Sequence, residues 1–219
     1  MKFQEALNMY LLHNVGKIKD NYQWDFPMKK FPLAYRKNSK NDYLNSLDLR
    51  MFIHDAIRSK SPRSGELQIW YVKEWGGVRS NRPSPLDEYV IMPSESLIER
   101  GERGIASWSK MLSVRDPSSY AIYDARVAVS LNTISLTQSG ESNLFFPQLA
   151  SRNKKIVEAQ SVIKSYIKLR GLRSERYFYR NYLDFLSKAV SQCGNKFSIQ
   201  TAEMVLFADA EALSAHWQA

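Results

Sequence analysis

Apolar side chains return every third or fourth position along most of this chain, and that period constrains its fold more than any other feature. The stripes include Phe3, Leu7, Tyr10 and Leu11, then Leu49, Phe52, Ile53, Ala56 and Ile57. Later ones are Ile156, Ala159, Ile163, Tyr166 and Ile167, then Tyr179, Tyr182, Leu183, Leu186 and Val190, then Ala202, Val205 and Leu206. Each can form the core-facing side of a helix, so the chain reads as mainly α, and aromatics such as Tyr182 or Phe207 read as core. With 219 residues and no internal repeat, one helical domain over 1–219 is the default, and a small two-lobed arrangement stays open. Its expected parts are an arm and loop region over 1–93, a central segment over 94–132 and C-terminal helices over 150–219. Residues 17–40 and 59–65 hold Pro27, Pro32, Pro62 and scattered Asn and Ser, and read as loops. The run 66–72 fits a short strand or a buried helix.

Charge narrows the partners. Lys and Arg number 31 against 22 Asp and Glu, a formal net charge of +9, which favours polyanions. Nine of those cations (Arg152, Lys154, Lys155, Lys164, Lys168, Arg170, Arg173, Arg176 and Arg180) face only Glu158 and Glu175 between positions 152 and 180. Tyr177, Phe178 and Tyr179 lie among them, a mixture suited to neutralising phosphates and stacking on bases. A solvated helix face followed by a buried aromatic stripe is the other reading.

The single Cys193 excludes an internal disulfide and a four-cysteine metal or iron–sulfur site, and His13, His54 and His216 have no ligand spacing, so no metal and no cofactor is expected. His54 reads as exposed. Phosphate-loop and nucleophile-elbow motifs are missing. No apolar run approaches a membrane span, and Glu5 and Asn8 break the N-terminal stretch before it resembles a signal peptide. A cytoplasmic monomer is the expectation, nucleoid-associated if bacterial.

The most informative segment runs from Ser96 to Leu131. Ser96 and Glu99 have capping-box spacing, so a helix is predicted to start at Ser96 and break at Gly101. A second helix follows with Ile105, Trp108 and Leu112 on one face and ends at Asp116-Pro117. An extended piece through Tyr120-Ala-Ile-Tyr123 leads to Asp124, placed as the N-cap of the helix carrying Val127, Ala128 and Leu131.

This order of helix, glycine turn, helix, apolar pair, Asp and helix resembles the helix-hairpin-helix superfamily of DNA glycosylases over about residues 94–132. Asp124 lies twenty residues beyond Gly104, the family's usual interval from the last hairpin glycine to its catalytic aspartate. Tyr120-Ala-Ile-Tyr-Asp-Ala-Arg-Val is similar to the family's Pro-Ile-Leu-Asp-x-x-Val, with Ala121 in place of proline; Gly101-Glu-Arg-Gly104 is one residue longer than the family's Gly-x-Gly turn. The resemblance implies double-stranded DNA as partner, base flipping, and base excision by Asp124, a chemistry used in DNA repair. A carboxylate beneath the sugar can stabilise the positive charge that builds as the N-glycosidic bond breaks.

It also implies DNA contacts at Gly101, Arg103 and Gly104 in the turn, at Lys110 and Arg126 beside it, and at Arg152, Lys154, Lys155, Arg170 and Arg173 in the basic stretch. Strand-cleaving members carry a lysine two residues past the last hairpin glycine. Ala106 occupies that position, which implies a monofunctional hydrolase. Lys110 lies one helical turn further on and reads either as facing DNA or as exposed near Asp116.

Upstream, Trp75-Gly-Gly-Val-Arg-Ser-Asn81 crowds a tryptophan, paired glycines and polar residues into a loop. Trp75 is a candidate to stack on an extruded base, with Arg79 and Asn81 reading its edge; a turn with a buried Trp75 anchor is the alternative. A non-catalytic DNA-binding protein of the same architecture remains the rival function, with Asp124 only a helix cap. A metal-dependent nuclease and a protein-interaction adaptor stand behind it.

Overall fold

The computed structural model describes residues 1–78, 85–139, 144–174 and 176–217, and these are mainly helical, with no strand among them. The N-terminal half contributes α1 (Phe3–Asn14), the short α2 (Ile18–Asn21), α3 (Asp42–Arg58), α4 (Ser64–Trp70), α5 (Leu86–Ile91), α6 (Ser94–Ile98) and α7 (Ile105–Arg115). The C-terminal half contributes α8 (Ala125–Gln138), α9 (Lys154–Arg170), α10 (Phe178–Gln192), α11 (Ile199–Ala208) and α12 (Ala210–Ser214). Every apolar stripe in the sequence lies on one of these helices. Residues 22–41 run irregularly, as their Pro, Asn and Ser content predicts. No described helix is long and apolar enough to cross a membrane.

Helix α8 is the organising element. Ala, Val, Leu and Ile share it with small hydroxyl and amide residues, and all its residues from Val127 to Leu136 are buried. Helices α1, α9, α11 and α12 pack around it. A helix buried on every side must satisfy its polar groups internally. Ser130 Oγ accordingly donates to Leu206 O (2.6 Å) and Asn132 Nδ2 to Phe146 O (2.8 Å), while Phe146 N donates back to Asn132 Oδ1 (2.9 Å).

Three of the sequence expectations change in the fold. Residues 17–21, expected as loop, are helical, because Ile18 of α2 is buried in the core, and Ser64 and Gly65 begin α4. Residues 66–72 are helical: α4 passes into a π turn over Tyr71–Trp75, because Leu67, Trp70, Tyr71 and Val72 bury a helical rather than an alternating face. Helix α6 starts at Ser94 behind Pro93, not at Ser96, since proline's fixed φ suits a helix entry and needs no capping box. The break at Gly101 (φ 60°) holds, and Gly104 (φ 77°) ends the turn just before α7. Both conformations favour glycine over any residue with a Cβ. Asp116 leaves helical geometry ahead of Pro117, so α7 stops at Arg115.

Candidate functional site

Asp124 caps α8 in the position its sequence context predicts. Its Oδ1 accepts from the backbone N–H of Arg126 and of Val127, both at 3.0 Å, and among the described hydrogen bonds the cap uses that oxygen alone. The extended approach to Asp124 is clamped from behind. Tyr179 Oη donates to Ala121 O (2.8 Å), Tyr182 Oη donates to Ile122 O (2.9 Å), and Tyr123 N donates to Ser109 Oγ (3.1 Å). Tyr179 is therefore a buried strut for the Asp124 backbone and Phe178 packs edge-on against the Tyr123 ring at 5.2 Å, so neither is a stacking group on a basic surface; Tyr177 alone of the three is exposed.

The half-buried Asp124 opens on a cleft of about 480 Å³. Trp24 and Phe207 supply its aromatic walls, Gly76 to Val78 one edge, Leu149 to Arg152 the other, and Ala106, Lys110 and Asp124 its floor. Phe207 was expected in the core but is only half-buried. Its ring meets Trp24 edge-on at 5.4 Å and carries the Arg126 guanidinium at 5.0 Å. No sequence signal marks Trp24, which sits in the irregular 22–41 stretch.

Lys110 overturns its expected exposure. It is 4 % exposed, and its Nζ donates to Ala106 O (2.9 Å) one turn back along α7. The face of α7 that turns Ala106 to the cleft must also turn position 110 there, because residues four apart share a helix face. Burial pulls the Lys110 amine below the ordinary lysine range, with Asp124 and then Glu203 acting in the opposite direction.

The glycine pair next to Trp75 explains how so buried a lysine is accommodated. A Cβ at Gly76 would lie 2.6 Å from both Cδ and Cε of Lys110 and 2.8 Å from Val72 O. The close backbone approach expected of this loop is real, but it is made to the lysine stem. Trp75 is not a wall of the main cleft. It is 5 % exposed and stacks on Tyr71 at 4.3 Å with an 11° interplanar angle, the buried anchor that was the alternative for it. Arg79 and Asn81 lie outside the described residues.

Beneath the floor, a second and smaller cavity of about 30 Å³ is walled by Tyr22, Trp24, Trp75, Lys110, Asp124, Glu203 and others. Glu203 reaches it from α11 and is held by Arg50 of α3 (Nη1 to Oε2, 2.6 Å), with side chains 2 % and 0 % exposed. Arg50 Nε also donates to Tyr71 Oη (2.8 Å). Neither Arg50 nor Glu203 was singled out from sequence, although Glu203 is the sole charge in Ile199–Ala208 and so carried a signal.

The exposed cations divide. Arg126 and Arg152 line the cleft, and Arg126 Nη2 is 3.0 Å from Glu211 Oε1. Lys155 Nζ donates to Glu211 Oε2 (3.2 Å), and Lys154 is 3.8 Å from Glu158. Asn153 Nδ2 donates to Glu211 Oε1 (2.7 Å), and these partners pull the Glu211 carboxyl below the usual carboxylate range. Arg170 lies over the Tyr166 ring, and Arg173 is exposed beyond α9. Arg103 is exposed in the glycine turn, where its carbonyl accepts from Trp108 Nε1 (3.2 Å). His54 is half-buried, not exposed, and its Nδ1 lies 2.8 Å from Arg115 O, a helix-to-helix tie between α3 and α7.

No protein-family profile, curated protein or solved structure matches the chain.

Proposed function

We propose that the chain is a DNA-binding, base-excising N-glycosylase of the helix-hairpin-helix kind, acting on a damaged or modified base extruded into the 480 Å³ cleft. One observation carries this reading: a carboxylate fixed at a helix start and a buried amine, its pKa lowered by that burial, share the floor of a single cleft whose walls are aromatic and whose rim holds Arg126 and Arg152. Trp24 and Phe207 offer the flat apolar surfaces on which a flipped base stacks. The rim arginines and the outer cations supply the phosphate attraction.

Two chemistries are open to that floor. In the hydrolytic one, Asp124 stabilises the developing oxocarbenium charge and orients water, as the alanine at position 106 implies. The burial of Lys110 favours the second. Its neutral amine attacks the sugar C1′, and the electron pair of the broken glycosidic bond leaves with the base, which takes up the proton shed by the alkylated nitrogen. The nitrogen lone pair then opens the C1′–O4′ bond, giving an iminium at Nζ, while the released O4′ oxygen takes a proton from solvent water. A lysine desolvated in a pocket is the form of the residue able to do this at neutral pH. The enzyme is then a glycosylase with associated strand cleavage through Lys110.

A panel of duplexes carrying single modified bases, incubated in EDTA and treated with alkali, reads base loss; borohydride added during incubation traps any imine as a stable protein–DNA adduct. Excision by wild type, its loss in Asp124→Asn and loss of the adduct in Lys110→Gln are expected. Excision with no adduct returns the chain to the hydrolytic route. Because the Asp124 cap bonds also suit a purely structural role, tight binding without base loss across the panel establishes the second reading, a non-catalytic DNA-binding protein.

A further inference from the structure

The Arg50–Glu203 pair asks for an explanation that stability does not give. Two charges removed from water on α3 and α11 are generally no more stabilising than an apolar pair of the same volume. The pair also lies apart from the surface where charge serves solubility. Of the two, Glu203 lines the inner cavity, together with Lys110 and Asp124. Arg50 is held on three sides, by Glu203, by Tyr71 Oη and by the Trp75 ring 5.4 Å from its guanidinium carbon. Glu203 is thereby fixed at one wall of a space that Lys110 lines on another.

Three charged groups act on the Lys110 amine from the elements packed against it, and Arg126 and Arg152 stand on the cleft it lines. Of the three, Asp124 comes from the segment before α8, Glu203 from α11 and Arg50 from α3. Tyr22 and Tyr71 stay protonated, since burial holds both hydroxyls far above neutrality. Burial raises the Glu203 carboxyl pKa and Arg50 acts against that rise; with both carboxyls ionised and Lys110 protonated the four groups sum to zero. With it neutral they sum to minus one. The buried cluster thus opposes loss of the lysine proton, while desolvation favours it, and Glu203 is a tunable member of that balance outside the main cleft.

We propose that Glu203, braced by Arg50, is a positioning residue for Lys110: lining the same inner cavity, its carboxylate acts with Asp124 to set when the amine carries a proton, and so when Lys110 is a nucleophile. This rests on the amine route proposed above for its consequence, but not for its measurement. Wild-type protein with ¹³C-labelled lysine, its Lys110 signal assigned by Lys110→Met, reports the protonation midpoint from the Cε shift without any DNA. In Glu203→Gln that midpoint is expected to fall by about one pH unit, as removal of one opposite charge near a buried lysine should do. In Glu203→Asp, which keeps the charge, it should stay nearer the wild-type value.

If the single substitution fails to fold around an unpaired Arg50, Arg50→Met/Glu203→Met supplies the same readout. Its midpoint is expected to move the same way by less, because Arg50 acts on Lys110 in the opposite sense to Glu203 and more weakly. An unmoved midpoint in a folded variant overturns the proposal and leaves the pair structural. Where borohydride trapping is observed, its acid limb should shift to lower pH in parallel. Absence of excision in wild type counts against the function, and the titration still decides the role of Glu203.

Discussion

The cleft floor and helix α9 both concentrate cations, and they use them in opposite ways. On α9, Lys154, Lys155, Lys164, Lys168 and Arg170 are exposed, and Lys154 and Lys155 already face carboxylates of the protein. At the floor, Lys110 is buried and donates to Ala106 O one turn back, and behind it the buried Arg50 is tied to Glu203, 153 positions away in the chain. Exposed charges in high dielectric act weakly, singly and subject to salt. Buried ones change each other's protonation and can be aimed at a reacting atom. The densest run of charge in a sequence therefore marks where a polyanion can be held, while chemistry is sought at the isolated charges inside apolar helices.

Substitutions at the floor should break this contrast most severely. Asp124→Asn keeps a good helix cap but removes the charge, so excision should drop by about 10²–10⁴-fold, measured as base release under single-turnover conditions, with little change in melting temperature. Asp124→Ala should show the same chemical loss and in addition cost about 1 kcal/mol in denaturant unfolding, the usual value of a lost cap. Equal activity in Asn and wild type would reduce Asp124 to its cap.

Lys110→Met removes the buried amine and keeps its stem. No borohydride adduct is expected, and thermal stability should be unchanged or higher, since a methionine carries no desolvation cost. Being lowered in the fold, the Lys110 midpoint sets a definite sign for pH. The folded state resists charging this lysine, so the cost of its burial is absent above the ordinary lysine value, grows as pH falls from there to the lowered midpoint, and is constant below it. Wild type should therefore gain stability relative to Lys110→Met as pH rises across that window, in parallel urea titrations.

Gly76→Ala is the next smaller effect. Its Cβ would meet the Lys110 stem and the Val72 carbonyl, and a packed site forced apart in this way typically loses about 1–3 kcal/mol. Adduct formation should fall further than stability does, because the atom displaced is on the path to Nζ. A variant that trapped DNA as well as wild type would show that the lysine stem has room to shift.

Residue order made the helices, the break at Gly101 and the Asp124 cap legible, since each depends on local chemistry within a few residues. Lys110 was misplaced because exposure is decided by what packs against a helix face, and Gly76 comes from a loop more than thirty residues upstream. The Arg50–Glu203 pair joins helices 153 positions apart, beyond the reach of any local pattern. Trp24 comes from an irregular stretch with no period to expose it. Tyr182 reads from sequence as a buried helical side chain and Tyr179 as either that or a stacking group, and what their hydroxyls hold follows only from the Asp124 segment lying beside α10.

The outer cations should give the mildest phenotype, and its form is what separates the two regions. Lys164 and Lys168 are exposed on α9 along a groove that adjoins the cleft at Leu149 and Ala150. Each phosphate contact contributes about −0.9 to the slope of log affinity against log salt for duplex DNA. Lys164→Ala/Lys168→Ala should therefore flatten that slope by up to about 1.8, measured by fluorescence anisotropy of a labelled duplex over a salt series. The single-turnover excision rate at saturating protein should stay near wild type, because neither lysine reaches the floor. A slope unchanged by this pair would remove α9 from the DNA-facing surface. A lowered excision rate at saturation would instead break the division of labour, tying the outer cations to the chemistry of Lys110 and Asp124.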